Sequence, residues 1–201
     1  MIRRRYNRQR GFGLIEVLIT LLVFSVGVLA VAGLQAISKK NNFDSLQRTT
    51  AASLAESIIA SIRANPVARD KYLVSTTAPL GSRATVSAPT SCYANACNPS
   101  EMAAFDLYVW EQALDGAGEI LVLGDNATST GGLASPSACI IGPADGSDDF
   151  YQIVIAWRGV TKLGASQTNA CGAGRGLYDT GDAEDDASYQ RFFVLQTYIS
   201  Q

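Results

Sequence analysis

Whatever chemistry this chain performs, it performs without imidazole, because its 201 residues include no histidine. That excludes Ser-His-Asp and Cys-His nucleophilic arrangements, histidine acid/base catalysis and every metal site that needs a ring nitrogen. The remaining groups are four cysteines, a lone carboxylate in an apolar run, and two acidic clusters, Asp145, Asp148, Asp149 and Asp179, Asp182, Glu184, Asp185, Asp186. Calcium is the ion to weigh for such clusters. An EF-hand begun at Asp145 would place Phe150 where glycine is needed and Ala156 where the bidentate glutamate belongs; begun at Asp182 it fails at Ala187 and Phe193. Solvated loop charge is the better reading, with no metal and no cofactor expected. Residues 101–201 hold fourteen acids and four bases, which suits no nucleic-acid surface. No nucleophile elbow, phosphate-cradling loop or carboxylate pair can be argued, so an enzyme is not expected.

The lone carboxylate is Glu16. It lies in Phe12 to Leu34, 23 residues interrupted mainly by Thr20 and Ser25, with Gly27 and Gly33 as further breaks. At 1.5 Å per residue the run covers roughly 35 Å, enough for a bilayer core of about 30 Å. Arg3, Arg4, Arg5, Arg8 and Arg10 precede it and only Lys39 and Lys40 follow closely. The positive-inside rule therefore puts the N-terminus in the cytoplasm and the chain beyond Asn41 on the other side. An ordinary secretory signal would be shorter and end in an A-x-A-like site; here the small residue, Gly11, stands before the apolar run.

The order Arg10-Gly11-Phe12-Gly13-Leu14-Ile15-Glu16 resembles the prepilin leader junction of type IV pilins and the related pseudopilins of type II secretion. The resemblance implies a prepilin peptidase that cleaves after Gly11 and N-methylates Phe12. It also implies that Glu16 pairs with the new α-amino group of Phe12, on its own chain or a neighbour's, and so sets the register of subunits in a fibre. A carboxylate held deep in a spanning segment costs on the order of 2.5–3.5 kcal/mol, which such a partner offsets. Gly27 and Gly33 allow close helix approach and weaken the helix by about 1 kcal/mol each relative to alanine. Many major pilins carry proline near the place of Gly33, so any break here is expected to be milder.

These groups need elements to position them. Phe43, Leu46, Leu54, Ile58 and Ile62 recur at helical steps, with Thr50 filling a gap, and predict an amphipathic continuation that ends at Asn65-Pro66. Residues 66–100 read as loop with a β-like piece at Arg83–Ser87. Glu101–Leu114 reads as a helix capped by Ser100. Ile120–Leu123, Ser137–Ile141, Tyr151–Trp157 and Arg191–Ile199 read as strands, and Asn126–Pro136 as a mobile loop. The expected fold is α+β, a long N-terminal helix packed on a small antiparallel sheet as in type IV pilins. The divisions are a leader at 1–11, a transmembrane and filament-core helix at 12–34, its amphipathic second half at 35–65, and a periplasmic or extracellular domain at 66–201.

Cys92, Cys97, Cys139 and Cys171 all fall on the oxidising side. An even count there argues for disulfides. Four allow three connectivities; Cys92–Cys97 as a tight local loop with Cys139–Cys171 is favoured, and zinc, the rival, finds no matching spacing.

Several looser patterns resemble the PilV-type minor pilins. They are Ala51–Glu56 with Arg63–Pro66, the Cys92–Cys97 loop ahead of a helix containing Trp110, Phe150–Trp157 and the Arg191–Ile199 strand. They imply a structural subunit of a pilus-initiating or tip complex, supporting assembly and hence twitching motility and adhesion. Its partners would be other minor pilins, the major pilin, the inner-membrane assembly platform and the lipid bilayer. The alternatives are an I-type minor pseudopilin of a type II secretion system, and an adhesin or ligand-binding module displayed on a fibre. The formal charge of −2 is then a sum of two parts, since removing the basic leader would leave eleven basic against eighteen acidic side chains, or −7.

Overall fold

Apolar residues on all sides, and then on one side only, give one helix two characters. In the computed structural model α1 runs Leu14–Ala64 without interruption. The structure describes residues 13–82, 87–123, 126–129, 131–143, 149–163, 168–179 and 187–200. The chain falls into two compact units, Met1–Asn42 and Phe43–Gln201, and α1 contributes a part to each.

The described part of the first unit is helix alone. Each of its residues is exposed, including Leu14, Phe24 and Leu29 at 70% or more. It is long and apolar enough to cross a membrane. Its two hydroxyls are turned back onto the helix: Thr20 Oγ1 donates to the Val17 carbonyl at 2.9 Å and Ser25 Oγ to that of Leu22 at 2.8 Å. Neither therefore presents an unsatisfied donor to an apolar surrounding.

The second unit has its own core. Strands β3 (Ser137–Ile141), β4 (Asp149–Arg158) and β5 (Gln190–Ile199) form an antiparallel sheet in the order β3-β4-β5. Cross-strand rows Ala138/Ile155/Phe193 and Ile140/Ile153/Leu195 lie on one face and join a cluster with Ala51, Ala55, Ile58, Ile59 and Ile62 of α1. The row Cys139/Val154/Val194 lies on the opposite face and packs with Cys171. Strand alternation thus sends successive residues of β4 into two separate apolar layers.

Four expectations are corrected. The buried stripe of α1 is Gln47, Ala51, Ala55, Ile58, Ile59 and Ile62, while Phe43 and Leu46 face outward at 41% and 59% exposure. Ala51 and Ala55 are fully buried in that stripe, and Gln47 enters it because its amide is satisfied. Its Nε2 donates to the Gly132 carbonyl at 3.1 Å, and its Oε1 accepts from Ala134 N–H at 2.7 Å.

Residues 66–100 are not all loop. Pro66–Tyr72 form a 3₁₀ helix, and Val74 and Leu80 bridge antiparallel to Ile140 and Ala138. Both bridges are doubly hydrogen-bonded, which caps the outer edge of β3.

Helix α2 runs Pro99–Leu114 and its N-cap is Asn98, not Ser100. The Asn98 side chain accepts from Glu101 N–H and the Glu101 carboxylate accepts from Asn98 N–H, both at 2.9 Å, with Pro99 in the first turn.

Asn126–Ser129, expected in a mobile loop, form β2 paired with β1 (Ile120–Leu123) in register Ile120↔Ser129. The chain after it is anchored too, since Leu133 is buried and its N–H donates to the Leu114 carbonyl at 2.9 Å. The close approach of Gly116 to Gly131 and Gly132 leaves no room for a Cβ: one on Gly116 would meet the Gly131 backbone at overlap distance. The β-like piece expected at Arg83–Ser87 lies almost wholly outside the described residues.

Candidate functional site

Glu16 occupies the first turn of α1, where its own N–H donates to the Gly13 carbonyl at 3.0 Å. A carboxylate at that end is favoured by the unsatisfied amides and the helix dipole, by about 0.3–1 kcal/mol. Its side chain is exposed, beside Leu14 and Ile15 at 79% and 70% exposure. Gly11 and Phe12, the expected cleavage and methylation positions, lie outside the described residues.

Gly27 and Gly33 meet no neighbour within 4 Å in the space a Cβ would take. Both are helical, so neither is needed for a special backbone conformation. Around Gly27 the missing side chain leaves a shallow apolar notch between Phe24, Val28 and Val31. Such a notch admits the ridge of another helix at short interaxial distance.

In the second unit the cysteines pair as Cys92–Cys97 and Cys139–Cys171, with Cα–Cα separations of 5.6 and 5.9 Å. The two bridges do different work. The first closes a short loop directly ahead of the Asn98 cap, placing Tyr93 edge-on to Phe105 of α2 at 4.9 Å between ring centroids. The second is fully buried and ties the segment after Asn169 to the back of β3. Gln190 reinforces that tie: its Nε2 donates to the Asn169 and Cys171 carbonyls and its Oε1 accepts from Asn169 N–H.

A buried polar junction went unforeseen. Glu111 of α2 is fully buried and accepts from Gly81 N–H at 3.0 Å, while Asp115 accepts from Ser82 N–H at 2.7 Å. Arg175 donates to Ser137 Oγ at 3.0 Å and to the Gly81 carbonyl at 2.9 Å, closing the junction from the disulfide-tethered segment. Burial pushes the Asp115 carboxyl upward; the hydrogen bond from Ser82 opposes it, the Glu111 charge adds to it and Arg175 counters it. Burial likewise pushes the Tyr178 hydroxyl up to about 12, against the lowering effects of Ser137 and Arg175. Tyr72 is also raised, by burial and by its hydrogen bond to Asp106. Glu111, Asp115 and Arg175 together fasten α2, β3 and the loop at Gly81-Ser82.

Of the acidic residues, Asp179 is described, and its carbonyl accepts from Arg158 Nη2 at 3.1 Å. Asp149 begins β4. Asp145, Asp148, Asp182, Glu184, Asp185 and Asp186 lie outside the described residues. Among the described residues no cluster of carboxylates and cysteines is arranged to hold a metal.

Comparison with known proteins adds two matches. Residues 33–108 match the family model described as type IV pilin Tt1218, and residues 6–32 match the prokaryotic N-terminal methylation motif. The second match takes in Gly11, Phe12 and Glu16; the first takes in most of α1 beyond the apolar run, the Cys92–Cys97 loop and the start of α2. No curated protein and no solved structure matches the chain.

Proposed function

We propose that this type IV pilin-like chain, α+β with a long N-terminal helix and a small antiparallel sheet, is a minor pilin. It would be processed by a prepilin peptidase between Gly11 and Phe12, methylated on Phe12, and drawn from the inner membrane into the base of a growing fibre as part of its initiating or tip complex. Twitching motility and adhesion then follow from the assembly, and the chain's role is structural. The observation that carries this reading is a single carboxylate, Glu16, in the first turn of an otherwise exposed apolar helix, inside the methylation motif.

The cost of leaving that carboxylate unpaired in an apolar filament core makes it a register device. Only a subunit whose Glu16 meets a positive N-terminal amine avoids the penalty. The globular unit supplies the rest: an acidic, doubly cross-linked domain suited to the periplasm and the fibre surface.

The test is mass spectrometry of the protein from membranes and from sheared pili. The expected mature N-terminus is N-methylated Phe12 in both fractions. Glu16→Ala should remain in the membrane at normal abundance and fall at least tenfold in sheared fibres. An intact Met1 in every fraction, or normal incorporation of Glu16→Ala, would overturn the reading. Loss of exoprotein secretion with intact pili on deletion would move the chain to the I-type pseudopilins.

A further inference from the structure

The second unit carries two positive side chains at a hollow on an otherwise acidic domain. Asp44, Ser45 and Arg48 stand on one face of α1, and Trp157, Arg191 and Phe192 face them from paired positions of β4 and β5 across about 360 Å³. Arg48 is exposed on its helix. Arg191 is half-buried and held in place: its Nη2 donates to the Thr161 carbonyl at 2.6 Å and to Thr161 Oγ1 at 3.3 Å. Gly159 backs the Arg191 guanidinium so closely that a Cβ there would stand 2.8 Å from its central carbon. The one carboxylate in the hollow, Asp44, accepts from Val160 N–H at 3.4 Å and offsets one of the two charges.

Trp157 lines the hollow from β4 and is 3% exposed. Its indole Nε1 is sealed from solvent, with no acceptor among the described residues, and takes no part in recognition. The hollow therefore brings together two guanidinium groups and a serine hydroxyl around one space. Guanidinium groups bind carboxylates through parallel hydrogen bonds, and the hydroxyl adds a donor from the side.

We infer that this hollow is a docking site for a carboxylate side chain, Asp or Glu, presented by a partner subunit. Charge complementarity argues for that occupant. The hollow is donor-rich and carries a net positive charge, two guanidinium groups against the single carboxylate of Asp44. A subunit of the same acidic character as this chain would present such side chains in number; residues 101–201 alone hold fourteen. The inference stands on the second unit alone and holds whether or not the chain enters a pilus.

The experiment uses the full chain in detergent, labelled with ¹⁵N in its two tryptophan indoles. Its probes are the peptide acetyl-Gly-Asp-Glu-Asp-Gly-amide, the neutral version in which Asn and Gln replace the acids, and inorganic phosphate. The acidic peptide should shift the Trp157 indole signal in a saturable way, because that ring lines the hollow, with the Trp110 signal as internal reference. The neutral peptide should bind at least tenfold more weakly. Arg48→Gln, which removes no hydrogen bond within the fold, should weaken the acidic peptide about fivefold, with half of its binding lost between 50 and roughly 300 mM salt. Arg191→Lys should weaken it as well, because an ammonium cannot make the bidentate pair. Three results would overturn the assignment: equal binding of the two peptides, no effect of Arg48→Gln, or no movement of Trp157 at any peptide concentration. Tighter binding of phosphate than of the peptide would also overturn it, since the hollow would then be a phosphoryl site. Unchanged thermal unfolding of Arg48→Gln guards against misfolding as the cause of a lost signal.

Discussion

Residues 14–42 and residues 43–64 belong to one helix and obey opposite rules. In the first stretch no residue is buried and every apolar side chain faces outward; in the second, six positions are buried and two of them are alanine. The helix hydrogen bonds are the same in both, so the backbone is indifferent to the change. What differs is who supplies the apolar surroundings. For the second stretch they come from α2, the sheet and the connecting segments of the same chain. For the first they must come from elsewhere, a bilayer or other helices. Stability measured on the isolated protein should report the second region and ignore the first.

The largest way to break that asymmetry lies on the back of the sheet. Replacing Cys139 and Cys171 together by alanine should cost about 4 kcal/mol in the chain-entropy view, because the bridge closes a separation of 32 residues and is fully buried. Replacing Cys92 and Cys97 should cost about half as much, since their separation is 5. Thermal or denaturant unfolding in detergent would read both. Equal costs would show that loop length does not set what either bridge contributes.

A matched pair of truncations addresses the helix itself. Ile58→Ala removes a fully buried side chain from the core that α1 shares with α2 and the sheet and should destabilise the globular unit by about 3 kcal/mol. Leu29→Ala removes a side chain of similar volume that is 72% exposed, and should leave the unfolding midpoint unchanged within about 0.5 kcal/mol. A large loss for Leu29→Ala in monodisperse detergent would show that the first region has a partner within its own chain.

The same contrast explains what could be read before the structure. The apolar run, the end of α1 at Asn65-Pro66 and strands β1, β3, β4 and β5 were legible because alternation and unbroken apolarity are local signals. The buried stripe of the second helical stretch was not. Phe43 and Leu46 look like core by type, yet the buried face runs through Gln47, Ala51 and Ala55 instead. Hydropathy cannot anticipate that, because Gln47 is admitted by two hydrogen bonds to residues some 85 positions away. The cap of α2 was readable in principle: Asn98-Pro99-Ser100-Glu101 is a capping-box pattern, with its oxygen acceptor three residues before the glutamate. Strand β2 was also announced, by Gly124-Asp125 behind four apolar residues, a two-residue hairpin signal that the polar composition of Asn126–Ser129 concealed. The junction of Glu111, Asp115 and Arg175 had no local signature at all, because it joins residues from three distant segments.

Gln47 gives the next, smaller test. Gln47→Ala strips two hydrogen bonds and leaves Ala134 N–H and the Gly132 carbonyl without their partner, for a loss of about 1.5 kcal/mol in the unfolding free energy. Substitution of Leu46, one residue away and outward-facing, should change stability by less than about 0.5 kcal/mol. If Leu46→Ala proves the costlier, the hydropathy stripe and not the observed face governs packing.

The smallest effect concerns charge at the end of α2. Asp115 is the C-cap residue, where a negative charge opposes the helix dipole, and burial holds its carboxyl above the ordinary value of 3.8. A carboxyl raised in the folded state binds its proton more tightly there than in the unfolded chain. Its contribution is therefore fully present below the ordinary value and is lost as pH rises through the folded one. At neutral pH the ionised Asp115 is a net cost that a neutral isostere removes. Asp115→Asn keeps an oxygen for Ser82 N–H and should raise the melting temperature at pH 7, by less than about 2 °C because the partly exposed group is screened by solvent. At pH 3 wild type and variant should melt together. A variant that is less stable at pH 7 would show that the charge on Asp115 is needed, with Arg175 outweighing burial and the repulsion from Glu111.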